Sequence, residues 1–445
     1  QPEVVARHYT EAGNAARAVA YWQRAGEQAL ERSATREAAA HLAAALALTS
    51  RLPEAERART ELFLLLRRGM ALQALRGFAA SEVETTYARA RTLIKNVQID
   101  PVERFFVFYG LAGFYNTRAQ YTLAREFSQE LLRIAEETGH PALRLEAHWI
   151  AGMVAYHDAD MDTAERHLAE ARRPALWDAY QPGTLPNWFD PRVATLYFTA
   201  LVEWHRGLPD QALKRVDQAR TIGETVRHPF TEAWIHSLHT DLLMLRREWA
   251  ALEEAADPFV ALCEEQAFPF FLYWALGKRY LARCHCGGGP EDRAAVVETL
   301  AVVSQIGTLS DLPRGLARVA ITFAEAGAVD EAEVPLRRAL EITQTTDHKL
   351  TESLLLQARG CLLLARGAAG EAEDAFRQAL RAGERAETLA RTLQAGLRLA
   401  HLLHDQHRTD EARAVLAPLY ARFTEGFETP DLREARALLD AMAEA

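Results

Sequence analysis

Lysine is almost missing from this chain. Only Lys95, Lys214, Lys278 and Lys349 occur, against an abundance of Ala, Leu, Arg and Glu, a bias that reads as that of a GC-rich genome. Cysteine is equally scarce. Four in 445 residues do not make a disulfide framework and point to a reducing, cytoplasmic setting. No apolar run approaches the ~20 residues of a membrane span, and Leu62 to Leu66 is short and flanked by charge. The period-two alternation of β-branched residues that marks strands is absent, so essentially no sheet is expected. Positive charge is not in excess either: the net charge of −10 argues against a nucleic-acid binder. The arginine pairs Arg67-Arg68, Arg172-Arg173, Arg246-Arg247 and Arg337-Arg338 read as solvated helix faces. The start at Gln1 lacks both Met and an apolar leader, so the chain is expected to be a piece of a longer one that enters helix at once.

Catalytic motifs are missing too. Gly277-Lys278-Arg279 lacks the upstream glycine and the hydroxyl of a phosphate loop, and there is no H-E-x-x-H, G-x-S-x-G or C-x-x-C. Cys284-His285-Cys286, before Gly287-Gly288-Gly289, carries ligand types for zinc without the four-ligand spacing. It reads as a helix end beside a glycine-rich turn. His236 and His239 share a helix face near Asp241 but lack an evident third ligand, and read as polar groups of a groove. No catalytic residue, cofactor or metal is assigned, and an enzyme is not expected.

What is present is a beat. A Gly or Ala is followed 12 residues later by Ala or Val, then in most copies by a bulky residue four on, and by Ala or Leu three after that. It runs through Ala6/Ala18/Trp22/Ala25, Ala71/Val83/Tyr87/Ala90, Gly152/Ala164/Leu168/Ala171 and Ala200/Ala212/Val216/Ala219. It continues through Ala320/Ala332/Leu336/Ala339, Gly360/Ala372/Phe376/Ala379 and Ala400/Ala412/Leu416/Leu419, with Ala112/Ala124/Ser128/Leu131 a weaker copy. A fixed period of this length means stacked helix pairs. The first small residue falls late in a helix A and the other three on one face of a helix B, where the backbones approach closely. Glycine and aspartate at the intervening turns, as in Arg206 to Asp210 and Gly327 to Asp330, suit a left-handed helix end followed by an N-cap. Degraded units are expected from Leu242 to Ala255 and from Tyr273 to Leu300. A further helix pair is expected between Glu27 and Thr49, with Ser33 as its N-cap. The fold class is therefore all-α: a right-handed α-solenoid, or superhelix, of about ten tetratricopeptide-like pairs and some twenty helices.

Aromatic residues gather on the predicted A helices, which line the concave wall of such a superhelix. Trp149, Tyr156, Tyr197, Trp204, Trp234, Tyr273 and Trp274, with His236 beside them, form the candidate ligand groove. The alternative is that these rings fill the spaces between helices. Pro174, Pro182, Gly183, Pro186 and Pro191 interrupt the beat, and Trp177, Trp188 and Phe189 make that segment the candidate functional loop, either a lid across the groove or a plug between two pairs.

Several stretches carry a resemblance across nearly the whole chain. They are Gln1 to Leu42, GFAASEVETTYARAR (Gly77 to Arg91), Asp190-Pro191, GLPDQAL (Gly207 to Leu213), His228-Pro229-Phe230, Phe268-Pro269-Phe270 and Leu416 to Met442. On these the chain resembles the C-terminal tetratricopeptide-like repeat region of bacterial AAA/STAND signalling ATPases, often fused to class III adenylate or guanylate cyclase domains. More distantly it is similar to the sensor repeats of the maltotriose-responsive transcription activators. The resemblance implies junction helices over 1–50, following an ATPase core that lies upstream, and a repeat solenoid over 51–445 with an irregular loop at 174–191. It implies a non-catalytic sensor or protein-interaction arm that regulates the upstream nucleotide switch by binding a protein, peptide or small ligand in its groove. From charge and the lack of long apolar runs, neither nucleic acid nor membrane is expected as partner. The alternative is a structural oligomerisation scaffold with no ligand of its own.

Overall fold

The structure is a computed structural model and describes residues 1–32, 34–95, 99–182, 189–346 and 348–444. Its helices are α1 (Pro2–Glu11), α2 (Ala15–Glu31), α3 (Thr35–Leu48), α4 (Glu54–Arg76), α5 (Ser81–Leu93), α6 (Pro101–Thr117), α7 (Tyr121–Thr138) and α8 (Pro141–His157). There follow α9 (Met161–Ala171), α10 (Pro174–Ala179), α11 (Pro191–His205), α12 (Pro209–Val226), α13 (Pro229–Leu245), α14 (Trp249–Glu265), α15 (Pro269–His285) and α16 (Pro290–Gln305). The rest are α17 (Leu312–Glu325), α18 (Val329–Thr345), α19 (Glu352–Ala365), α20 (Ala369–Arg385), α21 (Leu389–Asp405), α22 (Thr409–Tyr420) and α23 (Pro430–Glu444). Among the described residues there is no strand. The α-solenoid expected from the beat is the observed architecture. Its ten A/B pairs are α1/α2, α4/α5, α6/α7, α8/α9 and then α11/α12 through α21/α22, with α3, α10 and α23 outside the pairing.

The beat is a lock between the helices of a pair. In every copy the second small residue is wholly buried, as are Ala6, Ala71, Ala200, Ala320 and Ala400 at the first place. The first place makes a hole for the third. A Cβ on Gly152 would stand 2.6 Å from the Leu168 side chain, and one on Gly360 would stand 2.3 Å from the Phe376 ring. The A-to-B turns repeat one geometry. A residue with positive φ follows helix A, and the next N–H reaches back to a carbonyl five residues earlier: Asp160 to Ala155 at 2.9 Å, Leu208 to Glu203 at 2.9 Å, Ala328 to Phe323 at 2.9 Å. Gly207 and Gly327 supply that conformation as expected, whereas Ala159, Arg247 and His407 adopt it without the glycine.

Several local expectations are corrected. Asp160 caps α9, accepting from the Thr163 N–H at 3.0 Å. Asp210, Asp330 and Asp410 lie one residue inside their helices instead, because the turn ends sooner than the spacing suggests. Glu27 to Thr49 holds the end of α2 and the single helix α3, not a pair, and Ser33 lies outside the described residues. Pro174 and Pro191 open helices instead of stopping them: each stands in the first turn of α10 or α11, where no N–H is needed. Arg246 and Arg247 are not a solvated pair. Arg246 is buried and donates to Pro209 O at 3.0 Å and to Glu248 at 2.7 Å, and Arg247 binds Asp431 and Glu434.

The superhelix closes on itself. The A-to-B turns of the first turn of the coil dock on the connections into later A helices. Phe78, after α4, sets its ring edge-on to Phe270 with centroids 5.3 Å apart. Thr117 O, at the end of α6, accepts from the N–H groups of Leu309 and Ser310. Asp158 pairs with Lys349, Arg206 with Glu387, and Arg247 with Asp431. These three ion pairs join residues 191, 181 and 184 positions apart. The Glu425 carboxylate meets the N–H groups of Asp210 and Gln211 at the start of α12, where the helix dipole favours an anion. Two large cores result, one over Ala29 to Ala275 joined by Leu350 and Ala390 and one from Leu281 to Met442, besides a small one over α1 to α4 and another of Leu243, Leu252 and Ala282.

Candidate functional site

Stacking the turns converts the expected open groove into an inner chamber. Its volume is about 170 Å³, and its wall runs from Gln73 on α4 to Arg391 on α21. This is room for a small molecule or a stretch of peptide, not for a folded domain.

Five of the eight groove residues read from the sequence line it: Trp149, Tyr156, Tyr197, Trp234 and Trp274. Three do not. His236 stacks flat on Phe259 with centroids 5.7 Å apart. On α13 the chamber face is Trp234, Ser237 and Asp241, and residues 236 and 239 turn away from that face. Tyr273 is one residue off the lining position of Trp274 and packs on the second core. Trp204 lies behind the wall, its ring 4.9 Å beneath the Arg391 guanidinium. Of the candidate loop, Phe189 reaches the chamber and stacks on Trp234 at 5.6 Å. Trp177 is half-buried and donates from Nε1 to Ala171 O at 2.8 Å, which fastens it to α9. Trp188 lies outside the described residues.

Much of the chamber's chemistry comes from charged residues that the sequence reading did not assign to the groove. Asp241 collects three partners: Lys278 Nζ at 2.8 Å, the Tyr197 hydroxyl at 2.7 Å and the Ser237 hydroxyl at 3.3 Å. Burial lowers the pKa of Lys278, opposed by Asp241. Arg314 pairs with Asp311 and donates to the Tyr156 hydroxyl at 2.6 Å. Arg391 donates to Gln394 at 3.0 Å. Arg318, on the same wall, is buried, and burial pushes its pKa down to about 10, with Asp431 acting against the shift and Arg398 and Arg314 with it. His157 is buried and held neutral: burial, then the Arg314 charge, lowers its pKa to about 3, while Nδ1 lies 3.0 Å from Met153 O. The one available signal for Arg314 and Arg318 is their i, i+4 spacing on a predicted A helix, which an exposed helix face displays equally well.

The other clusters come to rest as structure. His285 stacks on Trp249 with centroids 3.8 Å apart and meets the Thr322 hydroxyl at 2.9 Å, so the Cys284–Cys286 segment is the end of α15. His239 meets Arg220 at 3.2 Å. Among the described residues no group of three His, Cys, Asp or Glu is placed to hold a metal ion. No described helix is long and apolar enough to cross a membrane.

No protein-family model matches the chain. Among curated proteins it is similar to an uncharacterized protein of Rhizobium meliloti (strain 1021), 23% identical over 387 residues and covering 85% of this chain. The chain spans 36% of that relative's length. Among solved structures the fold resembles that of a Rap protein complexed with competence and sporulation factor, at a TM-score of 0.57 and 12% identity, covering 86% of this chain and 99% of that one. It also resembles the Cut9-Hcn1 hetero-tetramer of the APC/C, at a TM-score of 0.52 and 11% identity, covering 100% of this chain and 88% of that one. The likeness is one of fold. Helical-repeat solenoids share it.

Proposed function

We propose that the chain is a non-catalytic, ligand-binding sensor arm of a larger signalling protein. A small molecule or short peptide seated in the chamber sets the packing of the coil and so biases an ATPase switch, in some relatives of the resembled kind linked to a cyclase, elsewhere in the same polypeptide. One observation carries this reading: the chamber wall is assembled from α4 through α21, so an occupant touches both turns of the coil at once. Binding energy spent there alters the balance between wound and loosened states only if the occupant prefers one of them, and a wall built from both turns is the kind of site where an occupant would prefer the wound one. The Rap relative, solved with competence and sporulation factor, supports a solenoid of this fold that holds a ligand.

The test fills the chamber. Gly113 lines it, and a Cβ there would meet nothing within 4 Å. Gly113→Trp is therefore expected to leave the fold intact, since glycine inside a helix is the poorer helix former by up to about 1 kcal/mol. In the parent protein the same substitution should fix nucleotide-hydrolysis output at one level, unresponsive to cell extract that modulates the wild type. If the filled variant remains fully regulated, the chamber is not the sensing site.

A further inference from the structure

The chamber is positive inside a negative protein. Its lining carries Lys278, Arg314, Arg318 and Arg391 against the carboxylates Asp241 and Asp311, while the whole chain has a net charge of −10. Two of these cations are matched one to one, Lys278 by Asp241 and Arg314 by Asp311. Arg391 has a neutral amide and an aromatic face. Arg318 has neither: its residue is 8% exposed, its backbone is engaged within α17 and by the Thr322 hydroxyl, and no side-chain hydrogen bond or ion pair reaches its guanidinium among the described residues.

The carboxylates that act on Arg318 from a distance are already committed. Asp431 binds Arg247 at 2.8 Å and Gln394 at 2.8 Å, and Asp241 holds Lys278. A guanidinium stays charged at neutral pH. An uncompensated one in a largely buried wall is unfavourable, so a fold that keeps it there has room for a partner. The rest of the lining is largely apolar and aromatic, with Trp149, Trp234 and Phe189 packed ring to ring, and the neutral polar side chains Gln73, Asn116, Thr117, Ser237 and Ser310 interrupt it.

We propose that the chamber takes a small organic anion, an apolar or aromatic body bearing one carboxylate or phosphate that seats on Arg318. This assignment rests on the chamber being the ligand site and adds the class of ligand. A planar guanidinium fork accepts either oxyanion in two parallel hydrogen bonds, Arg391 adds positive potential, and the aromatic wall covers the body. Neutral sugars and cationic peptides are disfavoured.

Calorimetry on the intact chain tests it with a fixed panel: hexanoate, octanoate, 3-phenylpropionate, 1-naphthoate and phenyl phosphate, each beside its neutral amide or alcohol. The acids are expected to bind at least tenfold more tightly than their neutral partners, and the ratio of phenyl phosphate to 3-phenylpropionate identifies which oxyanion the site prefers. Arg318→Met should erase the tenfold preference and raise the melting temperature of the unliganded chain. A merely structural arginine would lower that temperature on removal. Arg318→Lys should keep part of the preference. Neutral members binding as tightly as the acids, or acids binding Arg318→Met unchanged, would overturn the anion assignment and leave the chamber reading standing. Absence of binding by every acid at millimolar concentration also overturns it, whereas regulation surviving Gly113→Trp overturns the chamber reading itself. The comparison of acid with neutral partner needs no variant to fold.

Discussion

Gly360 shows how narrow the margins of the beat are. An added Cβ would meet Phe376, itself 1% exposed, at 2.3 Å. Overpacking of this kind costs about 1–3 kcal/mol, against a gain of up to about 1 from replacing a helical glycine. Gly360→Ala is therefore expected to lower stability by up to about 2 kcal/mol, read as a shift in the urea midpoint at constant slope. Buried histidines set a second expectation. His157 and His205 are both held neutral, principally by burial and then by neighbouring arginines. Their folded pKa values lie below the unfolded value of about 6.5, so between the two the unfolded chain binds the extra proton. The stabilisation is complete above about pH 6.5 and is lost as the pH falls, by up to about 1.4 kcal/mol per pH unit for each histidine. Urea titrations at pH 7.5, 6.5 and 5.5 should show this fall, and His157→Asn should reduce its slope.

At the scale of elements, the helices and their pairing were legible because the beat ties composition to geometry. Small residues at fixed spacing have no other economical use, and each of the eight quoted copies forms an A/B pair. Helix starts were less legible. Pro174 and Pro191 signal interruption in sequence, yet each fits a first helical turn, and only the backbone on either side decides between the two. The candidate site was half legible. Rings at helical spacing on α8, α11, α13 and α15 point inward, whereas Trp204 on α11 and Tyr273 on α15 face elsewhere. Charges were illegible, because Arg318 in a helix looks like any solvated arginine until the turns of the coil stack on one another. The loop after α4 is the element where that covering is most easily tested. Phe78 joins it to Phe270 on α15 and to Phe230 on α13. Phe78→Ala is expected to lose about 2 kcal/mol, less than a fully buried phenylalanine, with amide exchange quickening around residues 77–80 and 268–272 and not in α20.

At the scale of the molecule, a plain solenoid contacts only its neighbours and unfolds as a one-dimensional array. Here the ion pairs between turns, with Leu350 and Ala390 packed into the first core, tie the first half of the coil to the second. The chain is expected to unfold in urea as one transition despite having two large cores. Combining Phe78→Ala with Arg206→Ala and Arg247→Ala should split that transition, the part beyond α15 melting first, as read by tryptophan fluorescence (every tryptophan precedes residue 281) against far-ultraviolet circular dichroism. Coincident curves in the triple variant would show that the turns are not coupled in this way.

The stacking also bears on how such a chain can change over generations. Repeat proteins ordinarily gain and lose units freely, since a duplicated pair merely lengthens the stack. In this one, an inserted or deleted pair between α12 and α18 would slide the later contacts by a full unit, placing Lys349 away from Asp158 and Glu387 away from Arg206. The number of units between those partners is thereby fixed by geometry, and lineages that keep the wound coil are constrained to vary in side chains and not in length.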